Sequence, residues 1–202
     1  MRQIFTLIIS LLIANTTLYG QSAEIEKTFC FHRSRRARTE PRQSVQSEYK
    51  AAINYCRQNN EEQHHLTNLL LGYCIILSYA GDYSKAIATL NEAAERNHRQ
   101  PTPDKEIEAK IYMQFGVINF FQKRFDDALF YYRKSEAIAV STKNKMGISI
   151  AKNNIANVYQ KKGEYRQAID SYRKCIKIQE ELQDTATLAN TLTSISARAT
   201  KS

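Results

Sequence analysis

The sequence predicts an all-α chain, a solenoid of antiparallel helix pairs, and three observations predict it. One short segment recurs: Gly81-Asp82-Tyr83-Ser84-Lys85-Ala86, Lys123-Arg124-Phe125-Asp126-Asp127-Ala128 and Gly163-Glu164-Tyr165-Arg166-Gln167-Ala168. The closing alanines lie 42 and 40 residues apart, a period that belongs to stacked helix pairs rather than to one closed core. Four residues beyond each alanine stands a large side chain (Leu90, Tyr132, Tyr172), and three further on a small one (Ala93, Ser135, Cys175). That spacing is one stripe of a helix, so each segment opens the second helix of a pair. Before each turn the first helix shows a large residue followed by a small one: Tyr73-Cys74, Phe115-Gly116 and Ile155-Ala156. A small residue beside a large one lets antiparallel helices interlock at native density.

The chain begins with Met1-Arg2 and an apolar run, Ile4 to Ala14, ahead of polar Asn15-Thr16-Thr17. A run of this length is too short to span a bilayer and suits a secretory signal peptide over 1–23, cut after Gly20 or Ala23. An uncleaved anchor is the alternative, and either places the folded part outside the cytoplasm, secreted or periplasmic. Residues 24–40, with Arg33, Arg35, Arg36 and Arg38, read as a disordered leader. A lone helix over 43–57 has Val45, Tyr49, Ala52 and Tyr55 on one face and opens the solenoid. Full repeats follow at about 60–97, 106–140 and 146–180. Pro101 and Pro103 fall in the connector Arg99–Asp104, where a missing amide donor does no harm. Leu188 to Ala199 sits one period after the third first helix and reads as a partial repeat over 186–200.

The run Asn153-Asn154-Ile155-Ala156-Asn157-Val158-Tyr159, with Gly163-Glu164-Tyr165, Ala168-Ile169, Tyr172 and Cys175, resembles a tetratricopeptide repeat (TPR). The likeness is to variants with a period near forty, as in kinesin light chains and bacterial peptide-sensing regulators, and it covers about residues 41–202. It implies a right-handed superhelix whose first helices line a concave wall. It also implies that asparagines on that wall hold an extended peptide. An amide side chain suits that task because it donates and accepts at once. The matching positions are Asn153, Asn154 and Asn157 in the third repeat. Lys110, Met113, Gln114, Val117 and Phe121 line the second, and Asn68, Leu71 and Ile75 the first. Gln114, Gly72 and Ser194 interrupt the asparagine ladder, while Met113, Val117 and Phe121 together are expected to form an exposed apolar patch.

Composition sets further bounds. The 202 residues are 43% hydrophobic, with twelve tyrosines, no tryptophan and a formal charge of +9. Arginines follow the signal, and Lys161, Lys162, Arg166, Arg173, Lys174 and Lys177 gather in the third repeat. No recognition-helix motif accompanies them, so an acidic protein partner or a solvated surface is expected rather than nucleic acid. Cys74 and Cys175 occupy small-residue packing slots, and Cys56 stands roughly 13 Å along the helix pair from Cys74, beyond disulfide reach. The adjacent His64-His65 point about 100° apart and cannot share a metal ion. No nucleophile–base set, nucleotide loop or carboxylate pair stands out, so neither enzyme activity nor a cofactor or metal is expected.

The resulting expectation is a non-enzymatic, exported repeat scaffold that binds a protein or extended peptide. A sensor module related to membrane-bound histidine kinases or transcription regulators is the first alternative. A structural scaffold of an envelope complex, acting through its convex face or oligomerising through an open carboxyl-terminal repeat, is the second.

Overall fold

The computed structural model describes residues 42–58, 63–183 and Thr191; the expected signal, the leader and most of the partial fourth repeat lie outside them. Among the described residues seven α-helices follow one another: α1 (Arg42–Gln58), α2 (Gln63–Ala80), α3 (Tyr83–His98), α4 (Lys105–Phe121), α5 (Phe125–Ser141), α6 (Lys145–Lys162) and α7 (Tyr165–Glu181). Each packs on its neighbours in sequence, giving three helix pairs, α2–α3, α4–α5 and α6–α7, with α1 laid ahead of them. The architecture is an all-α repeat solenoid. Successive first helices, α2 with α4 and α4 with α6, also touch, and approach more closely than successive second helices do. The first helices therefore lie on the inner side of the curve. Among the described residues no helix is long and apolar enough to cross a membrane.

The repeated stripe forms the core. Ala86, Ala128 and Ala168 are at most 1% exposed, and Leu90, Tyr132 and Tyr172 at most 2%. The small residues of the first helices make room for these large ones. A Cβ at Gly116 would stand 2.4 Å from Tyr132 Cδ1 and Cε1, so only glycine fits that crossing. Cys74 faces α3 in the first repeat and Ala156 contributes to the cluster holding Tyr172 in the third. Ser135 Oγ donates to the Ala109 carbonyl at 2.8 Å, satisfying a hydroxyl that the tight α4–α5 crossing buries. Helix α2 is apolar on nearly every side because α1, α3 and α4 all cover it: Leu66, Leu69, Leu70, Leu71, Tyr73, Cys74 and Leu77 are buried.

The turns within pairs share one geometry. Gly81 and Gly163 adopt φ +82° and +81°, and Lys123 occupies the same place at φ +62°. In each, the next amide returns to the preceding helix: Asp82 N to Leu77 O at 3.0 Å, Arg124 N to Asn119 O at 2.9 Å, Glu164 N to Tyr159 O at 2.9 Å. This is the left-handed helix stop, which glycine adopts without steric cost. Between the first two pairs the connector is held by Asn97, itself 4% exposed. Its Nδ2 donates to Asp104 O and its Oδ1 accepts from Asp104 N, both at 3.0 Å. Asp104 then caps α4 by accepting from Glu106 N and Ile107 N at 2.8 and 3.2 Å.

Candidate functional site

The inner face of the first helices is built from residues spaced i, i+4, i+7 and i+11, a single stripe on each helix. On α2 the stripe is Asn68, Gly72, Ile75 and Tyr79; on α4, Lys110, Gln114, Val117 and Phe121; on α6, Ile150, Asn154, Asn157 and Lys161. Two contacts tie the three columns together. The Tyr79 and Phe121 rings meet edge-on with centroids 5.1 Å apart, and Asn154 Nδ2 donates to Met113 Sδ at 3.1 Å. The result is a shallow groove whose turn end is aromatic, with Tyr79 38% and Phe121 36% exposed.

The expected site residues fall into three groups. Asn68, Ile75, Lys110, Gln114, Phe121 and Asn154 stand on the stripe, partly or fully exposed, and Asn153 is half-buried at its edge. Asn157 is on the stripe too, but its Oδ1 accepts from Tyr172 Oη at 2.6 Å. Half of its amide is thus spent holding a core tyrosine, and the nitrogen is what it can offer a ligand. Leu71 is a correction: at 6% exposed it belongs to the first core cluster, which residues of α1, α2, α3 and α4 build together. The expected apolar patch is a second correction. Met113 and Val117 pack against the core cluster formed with α5 and α6, so Phe121 is the exposed member and its companion is Tyr79.

Tyr79, Ile150 and Lys161 were not among the expected residues. Each stands at a stripe position already occupied by a named residue in another repeat, so register alone could have found them. The interruption at Gly72 has a physical cause, since Tyr49 of α1 lies over it. A Cβ there would come 2.8 Å from Tyr49 Cε1 and Oη.

One atom in the groove lacks its bond. Gln114 Oε1, in the middle of the central column, is buried with no hydrogen-bond partner. A buried acceptor left unpaired costs about 1–3 kcal/mol. On the central column Lys110 Nζ pairs with Glu106 Oε1 at 3.3 Å. Among the described residues no group of His, Cys, Asp and Glu could hold a metal ion. His64 and His65 lie in the first turn of α2.

Two family models, each described as tetratricopeptide repeat, match residues 65–139 and 149–182. No curated protein matches the chain in sequence. Among solved structures, BtubC (BKLC) from P. vanneervenii superposes with a TM-score of 0.67 at 16% identity, covering 77% of this chain and 65% of that one. A Rap protein complexed with competence and sporulation factor gives 0.65 at 18% identity, covering 72% of this chain and 40% of its own. Aspartyl phosphate phosphatase F from Bacillus subtilis gives 0.66 at 14%, covering 72% and 37%. At such identities the likeness is one of fold, and the chain spans less than two thirds of each of these proteins. The matched repeats, their helix pairs and their shared turns make this chain a member of the tetratricopeptide repeat family, whose repeats generally serve as non-enzymatic protein-interaction scaffolds.

Proposed function

We propose that the groove captures an extended peptide segment of a protein partner by bonding its backbone. The observation that carries this reading is the buried, unpaired Oε1 of Gln114. A peptide laid on the central column can bring an N–H to that oxygen where it stands buried, so binding relieves a cost that the unliganded groove bears. Asn154 has its carbonyl oxygen available beside it, since its nitrogen contacts Met113 Sδ, and Asn157 adds an N–H donor, since its oxygen holds Tyr172. Together they supply acceptors and a donor for alternating peptide edges, while Tyr79 and Phe121 give an apolar stop at one end. The Rap protein that shares this fold was solved with competence and sporulation factor, which supports a ligand-binding role for such a scaffold. We place the protein outside the cytoplasm, secreted or periplasmic, on the strength of the apolar run Ile4–Ala14.

The test is a display selection of unstructured peptides against the full-length chain, followed by titration against Gln114→Leu. Leucine removes the unpaired acceptor, so the variant should melt at the same temperature or higher while peptide affinity falls about tenfold, the loss of one hydrogen bond at a buried site. Equal affinity for both proteins would falsify capture at Gln114.

A further inference from the structure

The three second helices share one register, so α3 and α7 are internal controls for α5. Two residues past each buried alanine the chain faces away from the core: Ala88 on α3, Phe130 on α5, Asp170 on α7. Twelve residues past it stand His98, Val140 and Glu180. All six are exposed. Only α5 is apolar at both places and large at the first, with Phe130 54% and Val140 56% open to solvent. Neither side chain belongs to a core cluster of the solenoid, so intramolecular packing does not account for them. Exposed apolar side chains gathered on one face mark interaction sites.

The face is also charged in a fixed way. Lys134 Nζ stands 4.6 Å from the Phe130 ring centre and 5.0 Å from that of Tyr112. Arg133 Nη2 donates to Tyr159 Oη at 2.7 Å. Both cations are thereby held beside a shallow hollow of about 460 Å³ whose lining also includes Asp126, Leu129, Phe130 and Ala137, and the Asp126 carboxylate is itself paired with Lys162 Nζ at 2.7 Å. The third repeat extends the positive field, with Arg173 at the position of Arg133 and Lys174 at that of Lys134.

We infer that the outer face of α5 docks an acidic amphipathic helix of a partner protein, separately from the groove. A helix fits because α5 has spent its own backbone groups internally and offers an extended strand nothing to pair with, whereas a helix satisfies its own. Acidity fits because Arg133 and Lys134 stand between Phe130 and Val140 along α5. A second copy of this chain does not fit. Arg133 and Lys134 lie at the middle of α5, so an antiparallel two-fold pairing of these faces would set them against themselves. The segment preceding α1 does not fit either, since Arg33, Arg35, Arg36 and Arg38 would bring like charge to the same face.

The probe is a labelled synthetic helical peptide with leucines on one face and glutamates on both flanks, titrated by fluorescence anisotropy into the full-length protein. Binding should be saturable and salt-sensitive. It should weaken about tenfold or more in the double variant Phe130→Ser with Val140→Ser, as expected when a central apolar anchor is lost. A similar loss is expected in Lys134→Glu, while Gln114→Leu leaves the affinity unchanged. These positions are exposed, so helical circular dichroism and melting of the variants should match the parent. The inference fails if the serine variant binds the peptide as well as the parent, or if a lysine-flanked version of the peptide binds equally. It fails too if sedimentation shows a dimer of the parent that Phe130→Ser dissociates, because the occupant is then a second copy.

Discussion

At residue scale the solenoid is decided by pairs of unequal size. Gly116 with Tyr132, Ala156 with Tyr172 and Cys74 with Leu90 are three solutions to one crossing, and the glycine belongs to the tightest. Gly116→Ala gains about 1 kcal/mol of helix propensity but pushes a methyl into a ring that is 2% exposed and has nowhere to go. Overpacking of that kind costs about 1–3 kcal/mol, so urea denaturation should show net destabilisation. Adding Tyr132→Leu, the residue that the first repeat uses, should restore much of it; additivity of the two changes would show that they do not share the crossing. The small slots also fix thiol chemistry. Burial pushes the Cys74 thiol up to about 11, and Cys175 is raised as well, chiefly by burial, against the lowering effect of hydrogen bonds with Ser149 and Thr191. Among the described residues Cys56, Cys74 and Cys175 are buried and form no disulfide. Iodoacetamide at pH 8 should leave Cys74 and Cys175 unmodified in the native protein and label both after denaturation, as read by peptide mass mapping.

At element scale the turns separate what the sequence announces from what it conceals. The helix pairs were legible because three copies of one stripe agree in register. The inner face was legible only in part. The asparagine pattern marks Asn153, Asn154 and Asn157 but is blind to Tyr79, Ile150 and Lys161, which hold the same stripe with other chemistry. Leu71 stands at the margin of the α2 face, and how far the neighbouring helices close over that margin depends on the packing angle, which no residue type encodes. Asn157 looked like a ligand donor because nothing in the sequence says that Tyr172 Oη would claim its oxygen. The turns also carry a strain that the repeat comparison exposes: Lys123 holds φ +62° where the equivalent residues are glycines. The left-handed conformation costs a residue with a Cβ roughly 1–2 kcal/mol, part of which glycine returns through chain entropy. Lys123→Gly should therefore raise the urea midpoint by the equivalent of about 0.5–1 kcal/mol. Gly163→Ala, at φ +81°, should lower it by about 1 kcal/mol. An unchanged midpoint in both would mean that these turns relax to another geometry.

At the scale of the whole molecule, stability is a chain of nearest-neighbour interfaces rather than one core. The buried residues divide into clusters along the solenoid, and the contact between the second and third pairs rests on Leu129 and Tyr132 meeting Ile155 and Val158. Few polar links reinforce it: Lys152 Nζ to Glu136 Oε1 at 2.5 Å, Lys162 Nζ to Asp126 Oδ1 at 2.7 Å, and the Arg133–Tyr159 bond. Solvent screens exposed pairs of this kind and leaves them little net effect, so the apolar contact dominates. Ile155→Ala, at a residue 6% exposed, should cost about 2–5 kcal/mol. In a repeat array that loss has a direction. It uncouples α6 and α7 from the rest, so hydrogen exchange mapped by mass spectrometry should show protection falling across 145–181 while α2 and α3, buried in a separate cluster, keep theirs. A single closed core would instead lose protection everywhere at once. Since the groove columns on α4 and α6 are joined through Met113 and Asn154, the same variant should lose peptide binding before it loses most of its helix, which would place the scaffold's function at the seam between its second and third repeats.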